Sequence, residues 1–214
     1  MELDEHEQGE RVRTWLRQNG SSLILGITLG LGLVFGWKWW QGKGQTHQVE
    51  AATQYQLLKD AVAAKDEAKV KAFSTQLADK YGDTAYGAMS RLRLAAYLQD
   101  SGKTAEAIKL LETGPANERP DIAEIRKLRH ARLLLVSGKA DQASQALAKL
   151  ATPAYPEVAE ELRGDIALAK GDRDAARKAY EKALTHLDQS AATRQLVELK
   201  LIDAGGQPPA MPET

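Results

Sequence analysis

Cysteine is absent from all 214 residues. This removes disulfides, thiolate metal sites and cysteine nucleophiles together. The absence is compatible with an oxidising compartment without pointing to one, because a domain of this size folds without covalent staples. An excess of charge is missing too, since 29 basic residues balance 29 acidic ones. Nucleic acid is therefore not an expected partner, as that needs a basic surplus to release counterions. Aromatics make up only 6% of the chain and β-branched residues are sparse, a composition that favours helix over strand. No segment alternates with the period of a strand, so no glycine-rich phosphate loop can follow one. No serine sits in a nucleophile elbow. His6, His47, His130 and His186 fall in four separate segments without metal-ligand spacing and read as solvent-facing or cap residues. Paired acids such as Glu160 and Glu161, or Asp172 and Asp174, read as solvated faces or first-turn charges. The expectation is a protein without catalytic residues, cofactor or metal.

What the chain does have is one long apolar run. Residues 21–40 read SSLILGITLGLGLVFGWKWW, uncharged until Lys38. At ~1.5 Å rise per residue this spans roughly 30 Å, the thickness of a hydrocarbon core. Thr28 is its polar exception beyond the opening serines, and its hydroxyl can bond back to its own helix. Trp15 stands before one end, and Trp37, Trp39 and Trp40 crowd the other, where indoles prefer the headgroup boundary. Lys38 can snorkel to that interface. A core helix of a soluble protein and a cleaved signal peptide are the rivals. The first ten residues carry five acids and no Ala-x-Ala follows the run, which disfavours cleavage. Arg11, Arg13 and Arg17 precede the run, against Lys38 and Lys43 after it. By the positive-inside rule the arm 1–20 is expected in the cytoplasm, 21–40 across the membrane, and the remainder beyond it. Gly26 and Gly30 share a helical face; this either permits close helix contact or reflects how common glycine is in membrane helices.

After a polar linker over 41–48, helical periodicity runs from 49 to 204 with proline confined to punctuation. Within it lies an internal repeat. LAAYLQDSGKTAEAIKLLE, HARLLLVSGKADQASQALAKL and LRGDIALAKGDRDAARKAYEKAL align on Gly102, Gly138 and Gly171, which are 36 and 33 residues apart. Five residues after each glycine stands alanine (Ala107, Ala143, Ala176), and seven before it a small residue (Ala95, Ala131, Gly164). Two closely packed antiparallel helices need small residues where their backbones approach, and glycine to end the first in a left-handed cap. Pattern and period resemble the tetratricopeptide repeat, most fully in the third unit, with Tyr180 and Ala183 at signature positions. An earlier helix pair is expected around the turn AAKDEAK, a capping helix over 191–203, and a disordered tail over 205–214. The fold class is all-α: a single transmembrane helix, then a tetratricopeptide-like solenoid of helical hairpins.

Such repeats offer a curved surface to peptides or partner helices. By analogy with tetratricopeptide geometry, the first helix of each pair lines the concave side. That register places Leu92, Ala96 and Gln99 there, then Leu128, Arg132 and Leu135, then Glu161, Asp165 and Leu168. The alternative for each leucine is packing between repeats.

The arm from Glu7 to Gln18, the span ending GWKWWQ, the stretch KYGDTAYGAMSRLRLA and the repeats after it together resemble the YfgM family, the ancillary SecYEG translocon subunit of Gram-negative bacteria. The resemblance implies an inner-membrane protein with a periplasmic domain, beside the SecYEG translocon and a membrane-anchored chaperone of the PpiD type, with exported proteins as clients. It also implies a secondary role in envelope stress regulation. An envelope assembly or division scaffold is the competing reading of the same repeats.

Overall fold

The computed structural model describes residues 2–115, 118–150 and 153–208. All its regular elements there are helices. The chain divides into two compact units, Met1–Glu50 and Ala51–Thr214.

The first unit is helical and forms most of α1 (Glu2–Ala63). Its apolar stretch, Arg17–Lys38, is long enough to cross a membrane. None of that stretch is buried within the protein; Ile24, Leu25, Leu29, Leu33 and Phe35 are all more than half exposed. Nine or more large apolar groups facing outward would be untenable in water, so the alternative of a soluble core helix fails. The Thr28 hydroxyl donates to the Ile24 carbonyl at 2.8 Å, which hides its polarity inside the helix. Trp15, Trp37 and Lys38 are exposed, whereas the side chains of Trp39 and Trp40 lie outside the described ones. Residues 41–48, expected as a linker, remain helical within α1. The segment holds glycine but no proline, and glycine weakens a helix without breaking it.

The second unit repeats one device. The end of α1 pairs with α2 (Glu67–Tyr81), α3 (Ala85–Asp100) with α4 (Thr104–Glu112), α5 (Pro120–Val136) with α6 (Ala140–Ala148), and α7 (Pro156–Ala169) with α8 (Arg173–Thr185). Then α9 (Arg194–Asp203) stands alone. Each first helix ends on a residue in the left-handed region: Lys65 (φ 54°), Gly102 (76°), Gly138 (75°), Gly171 (81°) and Gly205 (87°). The next residue then donates back over the last turn: Asp66 to Ala61 at 3.0 Å, Lys103 to Leu98 at 2.8 Å, Lys139 to Leu134 at 2.9 Å, Asp172 to Ala167 at 2.9 Å, and Gly206 to Leu201 at 2.8 Å. This is the Schellman closure, which satisfies orphan carbonyls where the helix stops. Successive closures lie 37, 36, 33 and 34 residues apart. The period therefore extends one unit further in each direction than the three aligned segments.

Packing follows the small residues. Ala95, Ala131, Ala107, Ala143 and Ala176 are fully buried, and leucines such as Leu111, Leu147 and Leu162 fill the space around them. The expected turn of the earliest pair is present. There Asp66 caps α2 by accepting from the Lys69 amide at 3.1 Å. Two boundaries shift. The capping helix starts at Arg194 and not at 191. Gly205 and Gly206, expected to open a disordered tail, instead close α9; of that tail, 209–214 lies outside the described residues.

Candidate functional site

The first helices of the hairpins carry a common register, at ten, six and three residues before each closure. It places Leu92, Ala96 and Gln99 on α3, Leu128, Arg132 and Leu135 on α5, and Glu161, Asp165 and Leu168 on α7. Gln99 is exposed, Arg132 is half-exposed, and Leu92, Leu135 and Leu168 are partly buried against the cores beneath them. Leu128 belongs to the core, at 6% exposure, so for this leucine packing between repeats prevails. It still forms the floor of a pocket of about 220 Å³ between α5 and α7, lined also by Ile125, Arg129, Arg132, Tyr155, Val158 and Leu162. Apolar side chains make the floor and two guanidinium groups the rim. Arg129 donates to the Leu92 carbonyl of α3 at 3.3 Å, which holds it over this surface.

The acidic part of the register is already engaged. Lys200 of α9 bonds Glu161 at 2.6 Å and both Asp165 oxygens at 2.8 Å. Arg132 approaches Glu161 at 3.6 Å, and the Tyr180 hydroxyl of α8 donates to Asp165 at 2.8 Å. One network thus ties α5, α7, α8 and α9 together. Arg132 leads from it into the pocket, whereas Glu161 and Asp165 are turned to structural use. Glu160, which reads from sequence as part of a solvated face, is buried and bridged by Arg163 and Lys182 at 2.6 Å each.

Burial, and then the bond to Asp165, raise the Tyr180 phenol well above its ordinary value of 10.0. The folded protein therefore keeps this proton at a pH where the unfolded chain has lost it. The contribution is complete below about pH 10 and declines as pH rises beyond it, by up to ~1.4 kcal/mol per unit. Tyr180→Phe is expected to remove that component of the alkaline slope while leaving the profile between pH 6 and 9 parallel to the parent. Denaturant titrations at a series of pH values check this; an unchanged slope above pH 10 counts against the buried phenol.

Sequence reasoning missed one end of this surface. Tyr55, Lys59 and Val62 of α1 occupy the same register before Lys65. The Tyr55 ring lies 5.7 Å from that of Tyr86, and the Lys59 ammonium 5.9 Å from the Tyr55 centroid. The usable signal was the turn at 64–66, obscured because lysine stands where the other units have glycine. On the opposite side, a cleft of about 340 Å³ between α4, α5 and α6 is lined by Lys127, His130, Lys149 and Glu112 among others. Burial pushes the His130 imidazole below its ordinary value.

A tetratricopeptide repeat-like domain family matches residues 13–206. The ancillary SecYEG translocon subunit of Escherichia coli (strain K12) is 30% identical over 203 residues, covering 92% of this chain and 95% of that protein. Its namesake from Haemophilus influenzae is 28% identical over 204 residues, with 93% and 97% covered. That from Aggregatibacter actinomycetemcomitans is 25% identical over 200 residues, with 93% and 97% covered.

The chain belongs to the YfgM family of ancillary SecYEG translocon subunits. The family match begins at residue 13, ahead of the apolar stretch, and ends at Gly206, the closure of α9. The apolar stretch and the repeats thus both fall within the matched residues. The boundaries of the match agree with the fold, since residue 206 is where the last Schellman bond forms.

Proposed function

We propose that this protein is a membrane-anchored interaction module that serves the Sec translocon as an ancillary subunit. The similarity over nearly the whole length to proteins named for that role carries the reading. The domain has the means to bind peptide segments, because the pocket between α5 and α7 joins an apolar floor to the guanidinium groups of Arg129 and Arg132. Such a site suits a segment that presents an apolar side chain beside a carboxylate. In this reading the arm 1–20 is cytoplasmic, the helix is an uncleaved anchor, and the repeats stand in the periplasm. There they take exported chains or a PpiD-type chaperone as partners, and the protein performs no catalysis itself.

A photo-crosslinking residue at position 132, in intact membranes, is expected to trap a translocon subunit, a membrane-anchored chaperone or an exported chain. Adding Arg129→Glu to that protein should lower the yield by about tenfold, equivalent to ~1.4 kcal/mol. Capture of cell-wall enzymes in place of these would replace the export reading by that of an envelope scaffold.

A further inference from the structure

The arginines of the repeat domain that meet a carboxylate do so closely, with one exception. Arg119, Arg126, Arg163, Arg177 and Arg194 each close onto an acidic partner at 2.9 Å or less. Arg132 stops short. Its Nη2 stands 3.6 Å from Glu161 Oε2, and the guanidinium makes no hydrogen bond among the described residues. The cause lies on α9. Lys200 Nζ holds Glu161 Oε1 at 2.6 Å and both Asp165 oxygens at 2.8 Å. An ammonium has three protons to donate, and those three acceptors use them all. Leu201, next in the chain, is fully buried against α8 and seats the lysine there. What Glu161 has left for Arg132 is one oxygen, beyond bonding distance.

We propose that Lys200 is a positioning residue for the groove: by occupying Glu161 and Asp165 it keeps the Arg132 guanidinium unpaired at the rim of the pocket between α5 and α7. A guanidinium grips a carboxylate best as a fork of two parallel bonds. Without the ammonium, Glu161 offers both oxygens, and the cation facing it is Arg132, half-exposed and able to move. That closed pair turns the fork away from the pocket and leaves Arg129 alone on the rim. The charges lead the same way. Glu161 and Asp165 are balanced by Lys200 and Arg132, so deleting the lysine leaves one cation to two carboxylates. The helix that closes the solenoid thereby also sets the charge that this surface shows. The consequence for binding rests on the reading of the pocket as a site for a carboxylate beside an apolar group. Apparent affinity scales with the fraction of molecules whose binding groups are available, so pairing of Arg132 weakens capture in proportion.

Phenylglyoxal modifies accessible guanidinium groups, and mass spectrometry locates its adducts on the full-length protein labelled in native membranes. In Lys200→Met the rate at Arg132 should fall about threefold relative to that at Arg129, the scale of a half-exposed ion pair. A photo-crosslinking residue at position 129 leaves Arg132 as the rim guanidinium, and Lys200→Met should lower its yield of trapped partner by the same factor. Adding Glu161→Gln to Lys200→Met should restore both readouts, because the competing carboxylate charge is gone. A lysine needed only for stability would not be rescued by removing a second member of its network. Lys200→Gln keeps a hydrogen-bond donor without the charge and should act in the same direction, which guards against a loss that is only misfolding. Helical circular dichroism checks the fold of each variant. An Arg132 rate unchanged in both Lys200→Met and Lys200→Gln, or a fall that Glu161→Gln does not reverse, would overturn the assignment. Labelling that behaves as expected in a protein that traps no partner at position 129 would uphold the role of Lys200 and overturn the interaction reading instead.

Discussion

Replacing Arg126 by methionine is expected to destabilise the repeat domain by about 3–5 kcal/mol, because it strands a buried carboxylate. Arg126 and Glu118 are 8% and 7% exposed at their side chains. The guanidinium Nε stands 2.9 Å from both Glu118 oxygens, and Nη2 lies 2.9 Å from Oε2. Its Nη1 donates to the Leu111 carbonyl at 2.6 Å, satisfying an acceptor at the end of α4. One side chain of α5 therefore fixes both the end of α4 and the turn that follows. Gly114 makes this possible, since a Cβ there would fall 2.7 Å from Glu118 Cδ and 2.8 Å from Arg126 Nε. At roughly 2–4 °C per kcal/mol for a chain of this size, the melting temperature should fall by about 6–20 °C. Adding Glu118→Gln to Arg126→Met should recover part of the loss, since the orphaned charge is then gone. A melting temperature within about 2 °C of the parent for Arg126→Met alone would show that the pair is solvated.

How much of this could be read beforehand depends on how local the cause is. The closures at Gly102, Gly138 and Gly171 were legible because only glycine enters the left-handed region cheaply, and the small residues set around them mark where helices approach. Lys65 adopts the same conformation at a cost, so the turn was visible only as a polar break and its register could not be carried back to Tyr55 and Lys59. The groove register names a phase on each helix and is silent on burial. Leu128 and Arg132 share that register, yet Leu128 lies beneath Leu162 and Tyr155 while Arg132 stays half-exposed. Glu161 and Asp165 read as groove charges because their partner Lys200 lies 39 and 35 residues away. Nothing in a period near 34 residues announces such a pairing. The Arg126–Glu118 pair escaped for a similar reason, as Glu118 sits in a stretch between two prolines that reads as punctuation.

Gly164→Ala is expected to reverse the usual sign of a glycine-to-alanine change in a helix. In an open helix the change gains roughly 0.5–1 kcal/mol. At Gly164 the new Cβ would stand 2.6 Å from Tyr180 Cδ1 and 2.7 Å from Cζ, and nearer still to Cε1. The ring is fully buried and cannot swing out, and shifting it breaks the hydroxyl bond to Asp165. Overpacking of this kind costs about 1–3 kcal/mol, so the net expectation is a loss of about 1–2 kcal/mol by denaturant unfolding. The other units show what relieves it. Where the third pairs Gly164 with Tyr180, the first pairs Ala95 with Leu111 and the second Ala131 with Leu147, all but fully buried. The glycine and the tyrosine are thus one exchange of volume between two facing helices, made twice in the opposite sense by alanine and leucine. Gly164→Ala with Tyr180→Leu should therefore return to within about 1 kcal/mol of the parent, the remainder being the lost hydroxyl bond. If the double variant is no more stable than Gly164→Ala alone, the volume exchange is wrong. If Gly164→Ala is itself stabilising, the helices do not approach as closely as α7 and α8 do here.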